Sequence, residues 1–417
     1  MTMRRVVITG LGALTPIGNN LESYWTNLQA GKSGAGPITQ FDSTHFRTKF
    51  ACEVKDYNPL DHFHRKEARK LDRFVQYALV ATDEAMQDSQ LLSDSLDHNR
   101  VGVIWSSGIG GLKVFQDEIE NFASNDGVPR FNPFFIPKMI ANMASGHISI
   151  KYGFRGISFA PVSACASSTH ALMDAFNYIR LGKAEAIITG GSEAGVTPAG
   201  IGGFNAMKAL SENNEAPEQA SRPFDQNRDG FVLGEGAGAI ILEELEHAKA
   251  RGAKIYAELV GTGASSDGYH ITATHPEGLG AILAMTSALE DGNYKIEDVD
   301  YLNAHATSTP VGDVSEVKAI EKLFESNLEN LQVSATKSMT GHLLGAAGAI
   351  EGIACIMALH NGVIPPTINL DKVDENINPT MNLTPNVAVK KEIKLAMCNT
   401  FGFGGHNATS LFKKYEE

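Results

Sequence analysis

At 417 residues, 43% hydrophobic and 20% charged, the chain can bury a sizeable core, and its glycines fall in short clusters rather than a repetitive tract, which excludes a disordered or fibrous protein. A formal net charge of -13 disfavours nucleic acid as a partner, because phosphate binding depends on neutralising cations. Cys52, Cys165, Cys355 and Cys398 lie far apart without C-x-x-C spacing, which argues against a zinc site or a disulfide framework; no metal is expected.

The N-terminus enters a strand-like Val6-Val7-Ile8 at once, leaving no room for a signal peptide, and no uncharged apolar run of about 18 residues follows, so a cytoplasmic location is expected. β-branched-rich runs ending in glycine or small polar residues predict strands at 4–12, 101–108, 184–194, 237–245, 255–265 and 299–308. Helical periodicity predicts helices between them over 66–89, 135–152 and 166–182. The alternation specifies an α/β protein with largely buried sheets.

Within the first helix, HFHRKEARKLDRF (62–74) sets Arg65 with Arg69 and Lys66 with Lys70 at i,i+4 spacing. On an acidic chain such a patch is either a solvated face or a docking site for an acidic protein, and charge alone leaves the two even.

Further along, Cys165 lies between alanines directly before a helix that is apolar nearly all round (Ala171, Leu172, Met173, Ala175, Phe176, Ile179, Leu181) and is stopped by Gly182. Unpaired N–H groups and the positive dipole end at a helix start favour thiolate, so a nucleophile is preferred over an inert core cysteine.

The chain also repeats itself. VVITGLGALTPIG (6–18) is echoed by AELVGTGASSDG (257–268), and VSACASSTHALMDA (162–175) by VSATKSMTGHLLGAAGA (333–349). Two related halves, 1–254 and 255–417, are therefore expected to meet back to back, with the turn before each central helix facing one shared site. The weaker alternative is two segments sharing generic turns.

That pairing would gather Cys165, His305 (in YLNAHATSTPVGD), His342 and Lys337 (in TKSMTGHLLGAAGA) at one cleft: a nucleophile, two nitrogen donors and a cation. Glu351, inside the apolar stretch 343–359, would be an uncompensated buried carboxylate unless it is exposed or pairs with Lys337. DQNRDGFVLGEG (225–236) nearly spells a calcium loop, but its glutamate, Glu235, falls one position early and a strand follows, so it reads as a turn.

Together, SACASS, NAHATSTPVGD, TKSMTGHLLGAAGAIE, NTFGFGGHNATSLFKK and RPFDQNRDGFVLGEGAG resemble the β-ketoacyl-acyl carrier protein synthases, in the form of the type II condensing enzymes of bacterial fatty acid synthesis. The resemblance extends over nearly the whole chain. It implies a thiolase-like fold, with two related halves in a layered αβαβα arrangement around buried central helices. The implied reaction is a decarboxylating Claisen condensation: Cys165 accepts an acyl chain from carrier protein, then malonyl carrier protein loses carbon dioxide and its enolate attacks that thioester.

His305 and His342 would hold the enolate oxygen, Lys337 would tune their field while pairing with Glu351, and the N–H groups of Cys165 and Phe403 would hold the oxyanion. The same resemblance makes Phe403 a gate, sets Ile109 and Phe204 along the acyl path, and assigns Thr307 and Thr309 to the pantetheine amides and Asp267 and His270 to substrate binding. Lys66, Arg69, Lys70, Arg130 and Lys208 would dock acyl carrier protein. No cofactor is expected beyond the 4'-phosphopantetheine that arrives on the carrier, and the family's usual state is a homodimer.

Ala306 stands where many relatives have glycine and His406 where threonine is common, which bears on acyl preference but not on the reaction. The alternatives are a polyketide ketosynthase, a type I condensing enzyme, or a non-catalytic carrier-binding subunit. A degradative thiolase would need a second catalytic cysteine, and CNTFGFGG around Cys398 lacks the C-x-G setting.

Overall fold

Val6–Leu14 (β1) is apolar and small along its whole length, as a strand covered on both faces must be, and every residue in it is buried. In this computed structural model, which describes residues 3–416, the elements that follow are α1 (Arg73–Ser89), β2 (Val101–Ser106), α2 (Leu112–Ser124), α3 (Met143–Tyr152), β3 (Ser158–Phe159), α4 (Ser167–Arg180), β4 (Ala186–Glu193) and β5 (Gly236–Glu244). Next come β6 (Ala257–Ser266), α5 (Leu279–Gly292), β7 (Tyr301–Asn303), α6 (Pro310–Phe324), β8 (Gln332–Ser334), α7 (Ala347–Asn361), β9 (Leu395–Gly402) and β10 (His406–Lys414), with shorter pieces between.

These ten strands form one mixed sheet in the order β8-β7-β9-β10-β6-β1-β5-β4-β2-β3. The order is a palindrome: β1 to β5 take the same places in one half as β6 to β10 in the other. The halves join where Val6, Val7 and Ile8 pair antiparallel with Leu259, Glu258 and Ala257.

Helices cover the sheet in three layers, each with its own apolar cluster. α1 and α3 pack outside the first half, α5 and α6 outside the second, and α4 and α7 lie between, touching strands of both. That is the layered arrangement implied by the resemblance. α7 is the inner helix proper, buried from Ala347 to Leu359. By length and composition Leu344–Asn361 could cross a membrane, but 89% of it is buried inside the fold, so its apolarity belongs to the core. α4 is less enclosed than its composition suggests: Met173 is only half-buried and Leu181 is 56% exposed, although Gly182 ends the helix as expected, with φ +71 and its N–H donating to the Ile179 carbonyl.

Each central helix is entered through a tight turn whose first residue is left-handed, Ala164 (φ +51) before α4 and Leu344 (φ +47) before α7. Neither residue is glycine, so about 1 kcal/mol or more of strain is held in each turn by its surroundings. Lys337–Thr340 forms one helical turn inserted after β8. The second entry turn therefore lies further along than the repeat alignment placed it, and His342 precedes that turn instead of occupying it.

Two expected helices are broken. α1 begins only at Arg73, where the Asp72 carboxylate accepts from the Phe74 N–H at 3.2 Å, and within 62–72 only Arg65–Ala68 are helical. Arg69 and Lys70 thus lie outside that single turn, and the i,i+4 pairs do not share one helix face. Likewise 135–152 splits at Ile140, which is extended (ψ 135) while the Met139 carbonyl accepts from the Gly111 N–H at 2.9 Å.

α1 crosses β1 so closely that a Cβ on Gly12 would lie 2.0 Å from the Ala81 carbonyl oxygen. Gly12→Ala is expected to cost about 1–3 kcal/mol in urea unfolding, because helix and strand must separate to admit it. An unchanged midpoint would mean that the contact can yield.

Candidate active site

Cys165 occupies the middle of the turn before α4, and two backbone N–H groups, its own and that of Phe403, lie close enough to its sulfur to favour the charged form. The second reaches it because β9 ends in a glycine: a Cβ on Gly402 would lie 2.6 Å from the Ser163 carbonyl oxygen and 3.1 Å from the Cys165 nitrogen. Burial pushes the thiol up to about 12, with the Glu193 charge adding to it, while Lys337 and the two N–H groups pull it down. The resting form is therefore the thiol. This corrects the expectation of a thiolate at the helix start: the loss of water outweighs the local donors.

His305 sits in the loop after β7. Its own N–H and that of Ala306 donate to the Glu316 carboxylate at 2.9 and 2.7 Å, and Asn399 Nδ2 donates to the same group at 3.3 Å. Burial raises Glu316 to about 7. Sequence reasoning missed this residue, although the pattern was legible: Asp313, Glu316, Val317, Ile320 and Phe324 form the buried stripe of α6, which puts a carboxylate on an apolar face.

His342 is pinned through its backbone, which donates to the Val232 carbonyl at 2.8 Å and accepts from Gly234 N–H at 2.9 Å. Its ring stands edge-on to that of His305, with centroids 5.4 Å apart, and Phe231 and Phe401 flank the pair. Burial first, and then the Lys337 charge, hold both imidazoles well below the ordinary histidine range. Both are neutral at physiological pH.

Lys337 Nζ donates to Glu351 Oε1, and neither side chain reaches water. Burial raises Glu351 to about 7 and Lys337 pulls it down. Neither lines the cavity, so they act on it through their field.

A cavity of about 560 Å³ joins Cys165, His305, His342 and Phe403 with Ile109, Phe204, Ala306, Thr307, Thr309, Asp267 and Lys208 on its walls. Thr307 and Thr309 hydroxyls lie 3.1 Å apart. The Asp267 carboxylate ties two loops together, accepting from Asn407 Nδ2 at 2.8 Å and His275 N–H at 3.1 Å. His270 does not belong to the lining: it is exposed, and its Nδ1 accepts from the N–H groups of Thr272 and Ala273, each at 3.1 Å, capping its own turn. Lys66, Arg69, Lys70 and Arg130 are exposed outside the cavity, with Lys70 over the Phe134 ring.

Residues 3–248 match the family described as beta-ketoacyl synthase, N-terminal domain, and residues 256–371 the family described as beta-ketoacyl synthase, C-terminal domain. The chain is 48% identical over 413 residues to 3-oxoacyl-acyl-carrier-protein synthase 2 of Synechocystis sp., a match covering 99% of each chain. Among solved structures, a beta-ketoacyl synthase from Burkholderia phymatum superposes with a TM-score of 0.92 at 33% identity, over 99% of this chain and 100% of that one. A ketosynthase solved in complex with its type II polyketide acyl-carrier protein and bound to the hexaketide superposes with a TM-score of 0.91 at 31% identity, with the same coverage.

Of the four cysteines only Cys165 lines the cavity. Iodoacetamide should therefore modify it first, at a rate still rising at about pH 10 instead of levelling near the ordinary thiol value of about 8.5, as followed by peptide mass spectrometry. A plateau near neutral pH would mean that the thiolate is stabilised after all.

Proposed function

The chain belongs to the β-ketoacyl synthase family and is a condensing acyltransferase, and from that premise we propose that it elongates fatty acyl chains by joining malonyl-acyl carrier protein, with loss of carbon dioxide, to an acyl group held on Cys165. The observation that carries this reading is one cavity lined by the Cys165 sulfur, the Phe403 backbone and the edge-on rings of His305 and His342, both held neutral by burial.

In the first half-reaction the Cys165 sulfur attacks the thioester carbonyl of the acyl carrier protein. Because the resting group is a thiol, its proton must leave as the bond forms, and a neutral imidazole in the cavity can accept it. The tetrahedral oxyanion takes hydrogen bonds from the Cys165 and Phe403 N–H groups. When it collapses, the pantetheine thiolate leaves and takes up that proton, so the exchange is neutral overall.

In the second half-reaction the malonyl carboxylate departs as carbon dioxide, and its electron pair becomes an enolate whose oxygen receives N–H donors from His305 and His342. Neutral rings suit this step: they stabilise the oxygen without protonating carbon as an imidazolium could. Lys337 contributes by keeping both rings uncharged. The enolate carbon then attacks the acyl carbonyl, and on collapse the Cys165 sulfur leaves as a thiolate that takes up one proton from water, which restores the resting thiol and balances the negative charge of the lost carboxylate.

On this reading Thr307 and Thr309 hydrogen-bond the pantetheine amides, Phe403 gates the cavity, and Phe204 and Ile109 line the acyl path, which their shared position on the cavity wall supports. The Ala306 methyl group, also on the wall, narrows that space. Lys208 at the cavity and the exposed Lys66, Arg69, Lys70 and Arg130 form the docking surface for the acidic carrier, in an enzyme working in the cytoplasm as a homodimer.

Cys165→Ala is expected to abolish elongation while malonyl decarboxylation persists, and His305→Ala or His342→Ala to remove decarboxylation, each by a factor of about 10² or more. Carbon dioxide release and product mass measured on the purified protein separate the two steps. Full condensing activity in any of the three variants would overturn the assignment.

A further inference from the structure

The two halves differ at one decisive place. β4 and β9 hold equivalent positions in the palindrome and have eight residues each, yet β9 ends in Gly402 and β4 ends in Glu193. Likewise, the middle residue of the entry turn is Cys165 before α4 and Gly345 before α7. Around Cys165, the bare strand end lets the backbone of β9 approach the entry turn closely. At the equivalent strand end the carboxylate of Glu193 lies against the other entry turn, at Gly345.

Glu193 is completely buried. Its Oε2 accepts from Gly108 N–H at 2.7 Å and Gly345 N–H at 3.0 Å, and its Oε1 from the Ser107 hydroxyl at 2.8 Å and Ile109 N–H at 3.2 Å. The Ser107 oxygen in turn accepts from Gly110 N–H at 2.9 Å. Four donors aimed at two oxygens suit an ionised carboxylate, since a proton on either would face another donor. A Cβ on Gly345 would lie 2.1 Å from the Gly108 nitrogen, so no side chain fits where the other half carries its sulfur.

We propose that Glu193 is a positioning residue which, seated as a built-in anion in the second half's copy of the oxyanion cradle, clamps the Ser107–Gly110 loop and so fixes Ile109 as a wall of the acyl compartment. The inference rests on the condensing function proposed above. Ile109 is 40% exposed and lines the cavity that holds Cys165, so the anchoring of its backbone bears directly on how far it projects into that space. The same carboxylate acts on the sulfur, whose proton its charge helps to retain.

Glu193→Gln isolates this role. With its amide oxygen turned to Gly108 and Gly345, and its NH2 to the Ser107 oxygen, which can accept, glutamine leaves only the Ile109 N–H facing another donor. The loop should loosen at Ile109, and the rate of self-acylation of the full-length protein should shift in favour of longer over shorter acyl-carrier proteins by about five-fold, the equivalent of one hydrogen bond. Ser107→Ala, which removes a neutral link of the same clamp, should move that ratio in the same direction. The pH profile of Cys165 alkylation should shift to lower pH in Glu193→Gln and stay in place in Ser107→Ala.

A chain-length ratio unchanged in both variants, or a uniform loss at all lengths with an unmoved alkylation profile, would overturn the proposal. Should Glu193→Gln not fold, an unchanged ratio in Ser107→Ala overturns it alone. A wild-type protein that never self-acylates would refute the condensing function instead, and the alkylation profiles, which need no substrate, would still decide the role of Glu193.

Discussion

Two charges that water cannot reach, Lys337 and Glu351, set the conditions for everything around Cys165. Burying either alone would cost several kcal/mol, and removing one from such a pair commonly costs about 3–5 kcal/mol, so each is kept only because the other is there. The fold meets the cost by enclosing both between the central helix and the one-turn helix before it. Once enclosed, the ammonium is felt at short range. It keeps two imidazoles uncharged and draws the thiol's proton affinity down against burial, which drives it up. A cation that touches no substrate thereby acts on three groups that do, adding to burial at the two rings and opposing it at the sulfur.

The duplicated architecture explains how such a site could be divided between two halves. One half supplies the sulfur and its entry turn; the other supplies both rings, the buried ion pair and the strand end that brings in the Phe403 amide. Two further buried carboxylates perform matching tasks, Glu316 bracing the loop after β7 and Glu193 the loop after β2. Symmetry in the backbone is thus retained for rigidity, while the side chains at equivalent positions have parted ways.

Much of this was legible in the sequence. Cys165 before a helix, the echo between 162–175 and 333–349, the hydroxyls of Thr307, Ser308 and Thr309 after His305, and the isolated charge of Glu351 in an apolar helix brought Cys165, His305, His342 and Lys337 together, and the family resemblance made the set specific. Glu316 was missed although it stands on the apolar stripe of its helix, and Glu193 because a glutamate that caps a distant loop looks like any other until the loop is folded against it. The helix expected over 66–89 failed at Asp72, whose preference for capping outweighed the periodicity on either side. The thiolate was misjudged since helix-start effects can be read locally, whereas the depth of burial depends on the whole chain.

The placement of β10 has a consequence for biosynthesis. This strand, the last of the ten in chain order, lies inside the sheet between β6 and β9. Until it leaves the ribosome, β6 has an open edge, and α7, translated earlier, lacks part of its apolar cover. The nascent polypeptide therefore carries a greasy helix and an unpaired edge together, the combination that attracts chaperones and invites self-association. Truncation near the C-terminus would thus be felt first as a loss of yield in the cell, before any question of turnover arises.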